Sequence, residues 1–159
     1  MPEANANTRI GVISDTHGLL RPEALSLLQG CELIIHAGDI GKPEVLKDLE
    51  IIAPVVAVRG NNDKGAWAEA LPHSAVAEAC GTYLYVLHDL HELDLDPAAA
   101  GFAAVITGHS HQPEIRQREG VLYLNPGSAG PRRFKLPVTL ALMDIGAATL
   151  DARIENLLP

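Results

Sequence analysis

Arg9-Ile10-Gly11-Val12-Ile13-Ser14-Asp15-Thr16-His17 is the stretch on which the fold turns. A nearly continuous apolar run stops abruptly at a carboxylate and an imidazole two residues apart. The run reads as a strand over Arg9 to Ser14, buried on both faces. Asp15 and His17 then stand at i and i+2, which an extended chain would place on one side. The same grammar recurs four times. Leu33 to Ile35 precedes Gly38-Asp39, and Val55 to Val58 precedes Gly60-Asn61-Asn62-Asp63. Tyr83 to Leu87 precedes His88, and Ala103 to Ile106 precedes Gly108-His109-Ser110-His111. If the five runs are strands of one sheet system, their polar blocks gather at the carboxyl ends, where open α/β sheets bind ligands. Oxygen and imidazole donors with no thiolate among them suit hard or borderline divalent cations. A metal-dependent hydrolase is the first expectation.

Working outward, Pro22 to Leu28 reads as a helix, with Pro22 in its first turn and Gly30 as a stop. The strand Leu33 to His36, a helix over about Pro43 to Leu49 and a strand Val55 to Arg59 complete a βαβαβ unit, which favours parallel strands. The second half changes character. Ser74 to Ala79 and Thr82 to Leu87 flank Cys80-Gly81, a tight-turn hairpin. A short helix near Pro97 to Ala100 leads to a strand at Ala103 to Thr107. Glu114 to Arg118 and Val121 to Asn125 flank Glu119-Gly120, and Val138 to Ile145 and Thr149 to Glu155 flank Gly146-Ala147-Ala148. Residues 1–8 read as a loose polar tail and residues 9–159 as a single domain, a mixed β-sandwich with helices outside.

Composition narrows the partners. The 159 residues suffice to bury roughly 70% of the unfolded surface. Twelve Lys and Arg against twenty Asp and Glu give a net charge of -8. Such a surface argues against extended nucleic-acid binding, which needs clustered cations. It leaves room for a small phosphorylated substrate, because bound metals invert the local field. Aromatic residues make up only 4% of the chain, so Val, Ile, Leu and Ala must fill the core. Cys31 and Cys80 form no C-x-x-C pair, and two reduced thiols fit a cytoplasmic protein. The N-terminus has neither a basic n-region nor an apolar h-region of a signal peptide, and no apolar run is long enough to cross a bilayer.

Each block also has an ordinary reading. Asp15 or Thr16 can form a turn, Asp39 can cap the following helix, and Gly60 to Asp63 can be a plain turn. His88 alone can be a strand-end histidine. Two histidines around one small residue after a buried strand, as in Gly108-His109-Ser110-His111, are uncommon as core filler. His36, inside its strand, reads as a satisfied core group, or one supporting the site from behind. His73 and His91 read as surface residues outside the site. Asn125-Pro126-Gly127-Ser128 reads as a turn whose amides can form an anion nest. Arg132 and Arg133 read as exposed charge within possible reach of a phosphate.

Together the blocks resemble the calcineurin-like metallophosphoesterase superfamily, whose pattern runs D-x-H, G-D, G-N-H-D or E, H, then G-H-x-H. The likeness spans nearly the whole chain. The short length, His36-Ala37-Gly38-Asp39 and Asn125-Pro126-Gly127-Ser128 resemble its small single-domain YfcE-like phosphodiesterase branch. The resemblance implies an α/β fold, a four-layer α/β/β/α sandwich of two mixed β-sheets flanked by helices. It also implies two divalent metal ions, with Mn2+ expected and Fe, Zn, Ni or Mg as alternatives. Asp15, His17 and His111 would bind the first, Asn61, His88 and His109 the second, and Asp39 would bridge both. Asp39, Asn62 and Asp63 are then the catalytic positions, with Asp63 orienting a neighbour by hydrogen bonding.

Two cations about 3.5–4 Å apart need a bridging carboxylate, can share a hydroxide nucleophile and clamp the phosphoryl oxygens. The family histidine credited with protonating the leaving group is Asn62 here, and an amide is no general acid near neutral pH. The YfcE-like branch also tends to lack that histidine. Its usual H-G-H is replaced by His88-Asp89-Leu90-His91, which leaves the role of Asp89 open. The expected activity is dinuclear-metal-dependent phosphodiester hydrolysis of small phosphoesters, by a protein that can be a homo-oligomer. The alternative is a non-catalytic scaffold, as in the retromer subunit of this superfamily, or a metal- or phosphate-binding protein of the same fold. Competent donors at all seven ligand positions favour the enzyme.

Overall fold

The computed structural model describes residues 7–159. Residues 1–6 of the expected tail lie outside the described residues, and Thr8 already opens the first strand. The chain runs β1 (Thr8–Ile13), α1 (Pro22–Leu28), β2 (Leu33–His36), α2 (Pro43–Glu50), β3 (Val55–Ala57) and α3 (Ala66–Glu69). Then come β4 (Ser74–Ala79), β5 (Thr82–Leu87), a 3₁₀ helix (Leu90–Glu92) and β6 (Ala104–Ile106). β7 (Glu114–Arg118), β8 (Val121–Asn125), β9 (Thr139–Ile145) and β10 (Leu150–Asn156) complete the order.

Among the described residues, ten strands form two five-stranded mixed sheets, ordered β10-β9-β1-β2-β3 and β4-β5-β6-β8-β7. The expected βαβαβ unit is the parallel half of the first sheet: β1 pairs with β2 and β2 with β3, all parallel. All three expected hairpins form. Cys80 and Gly81 join β4 to β5 with both φ angles positive, at 54° and 73°, as do Glu119 and Gly120 at 53° and 79°. Positive φ at both central residues gives the turn a twist that matches the flanking strands. Residues 97–100 form hydrogen-bonded turns where a helix was expected. The segment closes on isolated turn bonds, Ala100 N to Asp96 O and Phe102 N to Pro97 O, and does not propagate into a helix.

Three hydrophobic layers hold the sandwich. Between the sheets, Ile10, Val12 and Ile35 meet Leu84, Val86, Ile106 and Leu124. Outside the first sheet, α1 and α2 contribute Ala24, Leu28, Val45 and Leu49 against Ile13, Ile34 and Leu140. Outside the second, Leu87, Val105 and Val121 are covered by Leu90 and Leu93 at the 3₁₀ helix, so this fourth layer is thin. Burial of such side chains contributes about 1.5–3 kcal/mol each and fixes the strand ends that carry the polar blocks. Among the described residues, no helix is long and apolar enough to cross a membrane.

Candidate metal centre

The loops after β1, β2 and β3 lie side by side. The amides of Asp15, His17 and Gly18 donate to the carbonyls of Gly38, Asp39 and Ile40 at 3.0, 2.9 and 2.7 Å. The third loop is tied in by Asp63, whose buried carboxylate accepts from the amides of Ile40, Gly41 and Gly60 at 3.2, 3.0 and 2.9 Å. Asp63 therefore orients backbone and not a neighbouring side chain. The loop after β6 arrives through the Gly108 amide, which donates to the His88 carbonyl at 2.9 Å.

The donors do converge, but not as an extended chain would bring them. Asp15, His17, Asp39, His109 and His111 have φ angles of 55°, 47°, 57°, 72° and 64°. Non-glycine residues seldom adopt this left-handed region, and it is retained mainly where function requires a side chain in a particular place. Asp15 shows the result. One carboxylate oxygen, Oδ2, accepts from Ser14 Oγ at 2.7 Å and the His109 amide at 3.1 Å. The other, Oδ1, faces His111 Nε2 at 3.4 Å, His17 Nε2 at 3.8 Å and His88 Nε2 at 4.0 Å. Asp39 Oδ2 lies 3.3 Å from His88 Nε2 and 3.8 Å from His17 Nε2.

Two overlapping groups have ligand atoms close enough to hold a cation: Asp15, His17 and His111, and Asp15, Asp39 and His88. The chemistry of the donors fits one. Among the described residues, the buried side-chain polar atoms without a hydrogen-bond partner are Asp15 Oδ1, His17 Nε2, His88 Nε2 and His111 Nδ1. Leaving such an atom unpaired costs about 1–3 kcal/mol, so four in one place mark a site built for a bound group. His88 Nδ1 is 2.7 Å from the Ala37 carbonyl. A carbonyl can only accept, so Nδ1 carries the proton and Nε2 presents its lone pair to the site.

Asn61 and His109 stand at the outer edge of the centre. His109 Nδ1 lies 3.2 Å from Asn61 Oδ1, and its ring meets His88 edge-on with centroids 5.2 Å apart. Asn62 grips Asp39 from both sides: its amide donates to Oδ1 at 2.9 Å and its side chain to Oδ2 at 3.0 Å.

The electrostatics ask for positive charge. Burial pushes the Asp15 carboxyl up, against the pull of His88 and the Ser14 hydroxyl. Burial alone would raise Asp39 too, but His88 and the two Asn62 donors hold it well below the usual carboxylate range. Burial disfavours a charged His88, yet the facing Asp39 and Asp15 raise it on balance. Burial lowers His111, assisted by the charge of Arg133. In each case a carboxylate–imidazole cluster is balancing anionic charge that divalent ions would neutralise.

His36 is the expected supporting group. The Gly38 amide donates to its Nδ1 at 3.1 Å, so the proton sits on Nε2, 3.0 Å from Thr16 Oγ1. Thr16 in turn donates to the Ile40 carbonyl at 2.8 Å. Fully buried, His36 is pushed down to about 3, first by burial and then by His88. Asn125 to Ser128 is a brace and not an anion nest. Its Gly127 amide is spent on Asn125 Oδ1, the Asn125 amide group holds the Gly108 carbonyl at 2.9 Å, and Ser128 Oγ holds the Asp15 carbonyl at 3.0 Å. Asp89 caps the 3₁₀ helix through the His91 amide and faces His109 Nε2 at 3.9 Å. Arg132 and Arg133 are exposed, as expected. His73 is exposed, as expected, and lines a cavity beside His88 and Asn61.

Two mixed sheets and five converging loops thus present nitrogen and oxygen donors that could hold a cation. The chain belongs to the calcineurin-like phosphoesterase superfamily, whose domain pattern matches residues 8–148. It is similar to a probable metallophosphoesterase of Methanothermobacter thermautotrophicus, 38% identical over 157 residues, covering 91% of this chain and 90% of the relative. A phosphodiesterase of Methanocaldococcus jannaschii is 27% identical over 154 residues, covering 86% and 92%. Among solved structures, an archaeal phosphodiesterase superposes with a TM-score of 0.77 at 24% identity, covering 93% of this chain and all of that one. Vacuolar protein sorting 29 from Cryptosporidium parvum gives 0.77 at 17%, covering 95% and 98%, a likeness of fold.

Proposed function

We propose that this protein is a dinuclear-metal phosphodiesterase acting on small phosphoesters, with residues 9–159 working as one domain. The observation that carries the reading is the set of four unpaired buried donor atoms on Asp15, His17, His88 and His111. Asp15, His17 and His111 form one ion site, and Asn61, His88 and His109 the other. Asp39 joins them, supported by its Oδ2 reaching toward both His17 and His88. When bound, the two ions, Mn2+ in the proposed form, supply the Lewis acidity that activates water and offsets phosphoryl charge.

The chain's own residues do the positioning. Ser14 and the His109 amide fix one Asp15 oxygen so that the other points inward, and the Ala37 carbonyl fixes the His88 tautomer. Asn62 holds Asp39 and offers no transferable proton, so the leaving group departs largely unprotonated and activated esters react fastest. The free thiols of Cys31 and Cys80 suit a reducing compartment, and the cytoplasm is the proposed location. The test is hydrolysis of bis(4-nitrophenyl) phosphate by chelated protein with and without Mn2+. Dependence on the added ion supports the reading, and equal turnover without it refutes the reading.

A further inference from the structure

Beside the centre lies a cavity of about 180 Å³ lined by Arg59, Asn61, His73, His88, Asp89 and Glu92. That volume is about six water molecules, enough for one small charged group. Arg59 is partly buried, and its Nε donates to the Asp63 carbonyl at 3.3 Å. This contact anchors the side chain at its elbow. Among the described residues its two terminal nitrogens have no protein acceptor, and no carboxylate lies within ion-pair distance. That is unexpected in a chain of net charge -8 whose cavity also holds Asp89 and Glu92. Asp89 is otherwise engaged, with Oδ1 on the His91 amide and ring. The terminal N–H groups of this partly exposed guanidinium are therefore free to be presented to an oxyanion entering the cavity. His73 is set beside Arg59 by the backbone, through the Arg59 amide donating to the Pro72 carbonyl at 2.8 Å.

We propose that Arg59, assisted by His73, is the substrate-anion subsite of this enzyme. It receives a second anionic group, a phosphate or carboxylate, carried on the ester arm beyond the scissile phosphoryl. The proposal rests on the phosphodiesterase reading, since His88 and Asn61 form the wall shared by cavity and centre. The planar fork of arginine suits such an oxyanion, which it can bind through two parallel hydrogen bonds. The substrate class is therefore a phosphodiester with two negative charges, one at the reacting centre and one in the cavity.

The test has an equilibrium arm and a kinetic arm. In the first, metal-free protein cleared of chelator is titrated with inorganic phosphate while the Arg59 Nε and His73 ring resonances are followed by NMR. Wild type and the surface control Arg118→Gln should show the same saturable shift, and Arg59→Gln should bind at least about fivefold more weakly. An identical titration in Arg59→Gln, or no shift at His73 and Arg59 in wild type, would overturn the proposal. In the second arm, Mn2+-loaded protein cleaves 2-hydroxyethyl and 2-carboxyethyl 4-nitrophenyl phosphate, which share one leaving group. Wild type should favour the carboxylate arm by about tenfold in KM. Arg59→Gln should erase that preference and Arg59→Lys should restore part of it, whereas an unchanged preference overturns the assignment. If neither ester turns over, the phosphodiesterase reading fails, and the phosphate titration alone still decides whether Arg59 binds an anion.

Discussion

Acidification should destabilise the metal-free protein through His36. Its Nδ1 accepts from the Gly38 amide and its Nε2 proton is placed toward Thr16 Oγ1, so a second proton has nowhere to go. Burial and the neighbouring His88 take it from an ordinary 6.5 to about 3. A histidine depressed in the folded state binds fewer protons there than when unfolded. Its contribution is intact above the unfolded value and is lost as pH falls from 6.5 toward 3. At 1.36 kcal/mol per unit, the loss reaches about 2 kcal/mol by about pH 5. The assay is urea unfolding of chelated wild type and His36→Asn near pH 7.5 and pH 5. Asn retains an acceptor for the Gly38 amide but cannot titrate. Asp15, whose raised carboxyl acts with the opposite sign, remains in both proteins and cancels in the comparison. Wild type should lose about 2 kcal/mol more than the variant over that interval. Equal pH dependence in the two proteins would refute the reasoning, as would an NMR titration showing the His36 ring protonated near pH 6.

Other outcomes follow from the same geometry. Asp39→Asn should lower metal content at both sites and cut turnover by about 100-fold or more, read by elemental analysis and kinetics. Ser14→Ala removes the 2.7 Å hydroxyl bond that aims Asp15 and should weaken metal affinity by about 10- to 100-fold in a competitive chelator titration. Gly108→Ala places a Cβ into Ser14 Oγ and 2.7 Å from Asp15 Oδ2. It should cost about 1–3 kcal/mol in urea unfolding and reduce bound metal as well. Asn62→His should supply a proton donor near working pH and flatten the dependence of rate on leaving-group pKa. Alkyl esters should then gain far more than activated aryl esters, and an unchanged slope at normal metal content would show that position 62 does not face the leaving group.

The strand ends were legible because apolar runs and polar blocks alternate sharply, as in Ile10 to Ile13 before Asp15. Strand boundaries shifted by a residue or two where pairing partners run out; β3 stops at Ala57 because its register with β2 ends there. The donor types at the centre were legible for the same reason. Their local conformation was not, because nothing in Asp15-Thr16-His17 announces left-handed backbone at two positions. Those angles are imposed by the hydrogen bonds to Gly38, Asp39 and Ile40, which are distant in sequence. Supporting groups were the hardest to see. Ser14 and Ser128 are ordinary residues until the fold brings them to Asp15. Arg59 reads as the polar end of a strand, and its place on the wall of a cavity beside the centre is set by the fold, which no local pattern records.

In the proposed centre, Asp15, His17, Asp39, Asn61, His88, His109 and His111 bind two divalent ions on which phosphodiester hydrolysis depends. The most direct measurement is stepwise Mn2+ titration of chelated protein, with bound metal and bis(4-nitrophenyl) phosphate hydrolysis read on the same samples. Turnover should be negligible without metal, binding should saturate at two ions per chain, and activity should rise with occupancy of the second. Full turnover in metal-free protein, or saturation without any gain in hydrolysis, would contradict the proposed centre.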